Sequence, residues 1–130
     1  MKCDAFTAAI EAEDPEGLTE ALADDVVFRS PVVFKPYEGK AIVSTILTEG
    51  AMNVFEDFRY VERFEDGDAA ALIFKARVGD REVDGLDLLT FDGDGKVAEL
   101  LVMVRPMSGL NALAEAMGRE FERVGIAPRS

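Results

Sequence analysis

Between Val83 and Pro106 the chain reads as two long apolar strands joined by Asp92-Gly93-Asp94-Gly95. A strand that meets water on one face alternates apolar and polar residues. Here Leu100 to Val104 is apolar throughout, and Leu86, Leu88 and Leu89 bracket a single charge, Asp87. Both faces of this hairpin are therefore expected to be covered, one by helices of the same chain and the other by a second copy. Further strands are expected over Phe58 to Phe64 and Ala69 to Val78, with short turns at Asp66-Gly67-Asp68 and Gly79-Asp80 that force an antiparallel meander. Upstream, the spacing predicts a helix from Asp4 to about Glu13, a second from Asp14-Pro15, a strand over Val26 to Arg29, and a third helix from about Lys40 to Asn53. Val32 to Phe34 would continue the strand irregularly. Leu110, Leu113, Met117, Phe121 and Val124 recur along one face of a last helix, expected to be capped by Ser108 and ended by Gly125.

Helices, then a sheet, then a closing helix make one α+β domain over residues 1–126, with 127–130 expected to fray. The net charge of -12, from 26 acidic and 14 basic residues, repels nucleic acid and anionic membranes, so neither is expected as a partner. There is one cysteine, Cys3, and no histidine, so neither an internal disulfide nor a Cys/His metal site can form. With no apolar stretch long enough to span a membrane and no secretory leader, a soluble cytoplasmic protein is expected. Asp92-Gly93-Asp94-Gly95 opens like a calcium loop, but Lys96 and Met103 stand where its later acidic ligands belong, so it reads as a turn. No phosphate-cradling loop is present, and no cofactor is expected.

Several local strings resemble the nuclear transport factor 2-like superfamily, in particular its SnoaL-like and ketosteroid isomerase-like members. They are the helix break at Glu13-Asp14-Pro15, the strand Val26-Val27-Phe28-Arg29-Ser30-Pro31, the Tyr37-Glu38-Gly39 lead-in to the third helix, and Phe91-Asp92-Gly93-Asp94-Gly95-Lys96-Val97. The resemblance covers nearly the whole chain. It implies a cone-shaped, strongly curved, mostly antiparallel sheet wrapped around helices over a central pocket, with dimerisation through the outer sheet face. Because such a fold hosts isomerases, cyclases, dehydratases, hydrolases and non-catalytic binders, it does not by itself specify an activity.

Without histidine, proton transfer falls to carboxylate, tyrosine or lysine, and the carboxylates set within apolar strands are Asp84, Asp87 and Glu99. The resemblance favours Asp87 as the group facing the cavity. With an ordinary turn register Asp87 lies opposite Leu101, on one side with Met103 and Arg105, while a one-residue bulge would bring Asp84 inward instead. Alone in an apolar cavity Asp87 would be a base near neutral pH; beside Arg105 it would be a stabilised anion in an ion pair. Both arrangements stay open, with Asp87 and Arg105 as the candidate catalytic residues. Phe28, Tyr37, Phe58, Tyr60, Leu101 and Met103 are the expected pocket lining, with packing as the default role of the two tyrosines. The superfamily's epoxide hydrolases use an Asp-Arg-Asp set; Gly85 and Pro106 stand where two of its members would be, which counts against that activity. Two readings remain: a cofactor-independent isomerase or cyclase acting on a small hydrophobic molecule such as a carbonyl compound, and a non-catalytic dimeric binding protein.

Overall fold

The computed structural model describes residues 1–127. Helices α1 (Asp4–Glu11) and α2 (Pro15–Ala21) lead into β1 (Leu22–Arg29) and the short β2 (Tyr37–Glu38). A helical run follows as α3 (Lys40–Thr45), a π-helical segment (Ile46–Ala51) and α4 (Met52–Val54). The meander β3 (Glu56–Asp66), β4 (Ala69–Val78), β5 (Arg81–Phe91) and β6 (Val97–Arg105) precedes α5 (Met107–Val124). The six strands form one sheet in the order β2-β1-β6-β5-β4-β3. Only β1 and β6 run parallel; the other pairs are antiparallel, as the short turns require.

Local chemistry explains most boundaries. Asp14 accepts a hydrogen bond from the Gly17 amide at 3.1 Å with Pro15 in the first turn, so α2 starts where expected. Gly125 ends α5 with φ of 79°, a conformation glycine adopts without a Cβ penalty. The start of α5 differs from expectation: its N-cap is Pro106, and Ser108 sits inside the first turn. Residues 32–34 form no strand, and β1 instead begins four residues early, at Leu22. The third helix is continuous to Val54, but six residues of it widen into a π-helical turn. There Gly50 lies against Met117 of α5, where an added Cβ would meet the Met117 methyl carbon at 2.8 Å. Ala127 lies beyond α5 and is exposed; the rest of the expected frayed tail, 128–130, is outside the described residues.

The core lies between the concave sheet face and the helices. Leu72, Leu89, Leu100 and Val26 meet Phe6, Leu18, Val43 and Ile46, all nearly inaccessible. The opposite face of the sheet carries Ile73, Leu86, Leu88, Leu101 and Met103, with Leu88 and Met103 exposed in the single chain. The convex face thus carries an apolar patch beside ion pairs, and the described residues cover only the concave face.

Two bulges decide which side chains point inward. On β6, Glu99 stands opposite Thr90 and Val97 opposite Phe91, so Ala98 is the extra residue. The shift places Asp87 opposite Val102 and Leu88 opposite Leu101. Because the extra residue lies on β6 and not on β5, Asp87 stays inward and Asp84 outward, against the expectation that a bulge would bring Asp84 in. On β3, Tyr60 pairs with Phe74 and Glu62 with Ile73, leaving Val61 extra. Beyond it the alternation reverses, so Tyr60, Arg63 and Glu65 share the inner face. Without the bulge Glu62 would have followed Tyr60 inward. Glu65 accepts from the Lys2 and Cys3 amides at 3.1 and 3.0 Å, which supplies the start of α1 with acceptors.

Candidate active site

A cavity of about 300 Å³ opens between the concave sheet face and the helices. Its walls are largely aromatic and aliphatic: Phe28 and Tyr37 on one side, Phe55, Phe58 and Phe74 on another, and Met117 and Phe121 from α5. The rings hold one another in place. Phe58 stacks on Phe74 with centroids 4.6 Å apart, and Tyr37 meets Phe28 at 6.2 Å and Phe121 at 6.0 Å. Gly85 makes room for this cluster, because a Cβ there would enter the Phe74 ring. Glu13 and Val32, both exposed, mark the opening.

Asp87 projects from β5 into this cavity and is 6% exposed. Inward residues recur at Val83, Gly85, Asp87, Leu89 and Phe91, so the same period that builds the core delivers the carboxylate to it. The Tyr60 hydroxyl donates to Asp87 Oδ2 at 2.7 Å. Among the described residues, none of those lining the cavity is Lys or Arg. Burial therefore pushes the Asp87 carboxyl up to about 7, with the Tyr60 hydrogen bond opposing the rise. Burial, then the neighbouring Asp87, raises the Tyr60 phenol well above its ordinary value. A carboxyl poised near neutrality beside a phenol donor can exchange a proton with a bound molecule and hydrogen-bond to an oxygen on it.

The expected partner of Asp87 lies elsewhere. Arg105 is on the convex face and donates to Asp84 at 2.6 Å, and Lys75 reaches the same carboxylate at 2.8 Å. Lys75 first, then Arg105, hold the Asp84 carboxyl below its usual range. The extra residue at Ala98 is the cause: it slides β6 by one position, so Val102 replaces Leu101 opposite Asp87, and Met103 and Arg105 turn outward with Asp84. Leu101 and Met103 are accordingly on the convex face, outside the cavity lining. Phe28, Tyr37, Phe58, Tyr60 and Asp87 all line the cavity. Glu99 is paired with Arg29 at 2.6 Å on the same convex face.

Sequence reasoning missed the bond between Tyr60 and Asp87, and it missed Arg63 and Thr7 beside it. Arg63 donates to Thr7 Oγ1 at 2.9 Å and to Glu11 Oε1 at 3.0 Å, and its guanidinium lies 5.8 Å from the Tyr60 ring centroid. Thr7 is buried. No glycine or proline marks the Val61 bulge, so the one-dimensional pattern carried no signal for this cluster.

A bent sheet closed over helices, with an aromatic cavity and one buried carboxyl, defines a protein of the nuclear transport factor 2-like class. The chain belongs to the SnoaL-like domain family, which its residues 3–100 match. It is similar in structure to a steroid delta-isomerase from Pseudomonas aeruginosa, with a TM-score of 0.89 and 44% identity over 97% of this chain and 93% of that one. An uncharacterised protein with a cystatin-like fold from Silicibacter pomeroyi DSS-3 gives a TM-score of 0.88 at 28% identity, over 93% and 85% of the two chains. A nuclear transport factor 2-like protein from Mesorhizobium loti, at 22% identity and a TM-score of 0.72 over 81% and 88%, shares the fold. No curated protein matches the sequence. Among the described residues, no helix is long and apolar enough to cross a membrane.

Proposed function

We propose that the chain binds a small, neutral, largely apolar carbonyl compound in the cavity and moves a proton on it without a cofactor. The observation that carries this reading is the Asp87 carboxyl, buried in an apolar cavity with a tyrosine hydroxyl and, among the described residues, no cation beside it. The cavity volume is at the lower end of the range for small-ligand pockets. A lining whose described residues include no Lys or Arg disfavours an anionic ligand, whose charge would be desolvated without compensation. The Asp87 carboxylate would take a proton from the carbon next to the carbonyl, leaving an enolate, and return it to the carbon two bonds further along the conjugated system. Once protonated, Asp87 no longer holds the Tyr60 donor as strongly, and the phenol can turn to the enolate oxygen. The 44% identity to a steroid delta-isomerase supports this reaction class.

The test is turnover of β,γ-unsaturated ketones, a ketosteroid among them, followed by the absorbance of the conjugated product. Asp87→Asn is expected to abolish the reaction while the fold survives; full activity in that variant removes Asp87 as the base. A second reading, ligand holding without chemistry, is favoured by the Tyr60 hydroxyl, which already gives Asp87 a hydrogen-bond partner. Binding of these ketones without turnover in the unaltered protein would establish it.

The convex face, with Ile73, Leu86, Leu88, Leu101 and Met103, pairs with a second copy, as in a C2 dimer where one patch meets itself. A cytoplasmic location fits the buried free thiol of Cys3.

A further inference from the structure

We propose that Arg63 is a positioning residue for the Tyr60–Asp87 pair: turned inward by the Val61 bulge and anchored on α1, it lies over the Tyr60 ring and holds the phenol hydroxyl on Asp87. For its consequence in catalysis this inference rests on the function proposed above; as a statement about the pair it stands on geometry alone.

Three observations converge on it. First, Arg63 shares the inner face with Tyr60 only because Val61 is an extra residue in β3. Bulges of this kind re-aim a side chain at a cost in ladder hydrogen bonds, which makes the inward turn of a charged residue a feature to explain. Second, the guanidinium is fixed at two points on another element, Thr7 Oγ1 at 2.9 Å and Glu11 Oε1 at 3.0 Å. A planar fork held at two acceptors has little freedom to leave the ring it covers. Third, the guanidinium carbon is 5.8 Å from the Tyr60 ring centroid, within cation–π range, while the Phe58 and Phe74 rings meet the same tyrosine edge to face at 5.0 and 6.4 Å. The ring is thus held between aromatic rings and a cation, and its hydroxyl reaches Asp87 at 2.7 Å. The charged and titratable groups around the pair are Arg63 on β3, Glu11 on α1, and Tyr60 and Asp87 themselves.

The experiment follows the Asp87 carboxyl by carbon NMR in ligand-free protein with labelled aspartate, together with the ring signals of Tyr60. In Arg63→Gln the tyrosine loosens, the hydrogen bond that holds down the Asp87 midpoint is less occupied, and that midpoint is expected to rise by roughly half a unit to one unit. Arg63→Lys keeps the charge and loses the fork, so it should recover only part of the unaltered value. Thr7→Val keeps the charge and removes one anchor, so it should give a smaller rise in the same direction. An unaltered midpoint in Arg63→Gln overturns the proposal, and so does full recovery in Arg63→Lys, which would leave charge alone as the cause. Should Arg63→Gln not fold, Arg63→Lys and Thr7→Val decide, and unaltered midpoints in both overturn it. Because no ligand is involved, a shifted midpoint in a protein that turns over no ketone would sink the isomerase reading and leave the role of Arg63 intact.

Discussion

Replacing Asp87 by Asn should make the protein more stable at neutral and alkaline pH and leave it nearly unchanged in acid. Ionisation of Asp87 and folding of the chain are linked. Asp87 binds its proton up to about pH 7 in the folded chain, against an ordinary value of 3.8. Between those values the folded state holds a proton that the unfolded state has lost, so stability falls as pH rises. The favourable contribution is fully present below the ordinary aspartate range and is lost once the pH passes about 7. A rise of about three pH units in one carboxyl corresponds to about 4 kcal/mol, an upper figure for a group that is fully desolvated. Asparagine has nearly the same shape and can accept the Tyr60 hydrogen bond through its carbonyl, but it does not ionise. The assay is urea unfolding of both proteins from about pH 4 to about pH 8.5, reading the difference in unfolding free energy at each pH. The other carboxylates contribute to both curves and largely cancel in the difference. The variant is expected to gain up to about 4 kcal/mol relative to the unaltered chain across that range. A difference that stays flat within about 0.5 kcal/mol would refute the premise that this carboxyl is desolvated and unpaired with a cation.

The other expectations are independent of one another. Tyr60→Phe removes the one hydrogen bond shown to restrain Asp87, so the Asp87 midpoint should rise in carbon NMR while stability falls by about 1 kcal/mol; an unmoved midpoint would contradict the geometry. Gly85→Ala places a methyl group in the Phe74 ring, and urea unfolding should show a loss of about 1–3 kcal/mol together with weakened binding of apolar ketones. Met103→Glu on the convex face should give a monomeric mass by light scattering without moving the Asp87 midpoint; a monomeric mass for the unaltered protein at micromolar concentration would refute the dimer. Arg105→Gln should leave the Asp87 midpoint where it is and raise that of Asp84, since Arg105 is one of the two cations that lower Asp84; a moved Asp87 would reinstate the ion pair that the fold separates.

Strand and helix periodicity was legible along the chain because it is a local property. Apolar residues every second position in Ala69 to Val78 and every third or fourth in α5 must reach one side, whatever the rest does. The same logic narrowed the carboxylates to Asp84, Asp87 and Glu99, and the family resemblance favoured Asp87 among them; Asp84 and Glu99 instead meet cations on the convex face. The absence of histidine and the single cysteine bounded the chemistry before any fold was known. What the sequence did not disclose is which residues meet across strands. A bulge is a compromise between two strands and the surfaces they pack on, and neither Ala98 nor Val61 carries a turn residue that announces one. One extra residue moved Arg105, Met103 and Leu101 to the convex face, and another turned Arg63 onto Tyr60. The sequence alone therefore determined most of the elements and the three carboxylates set in apolar strands, which are properties of residue type and period, while its local strings carried the family resemblance that favoured Asp87. Only the tertiary structure decided that the partner of that carboxylate is a tyrosine from a strand two places away in the sheet, because register is set by long-range packing.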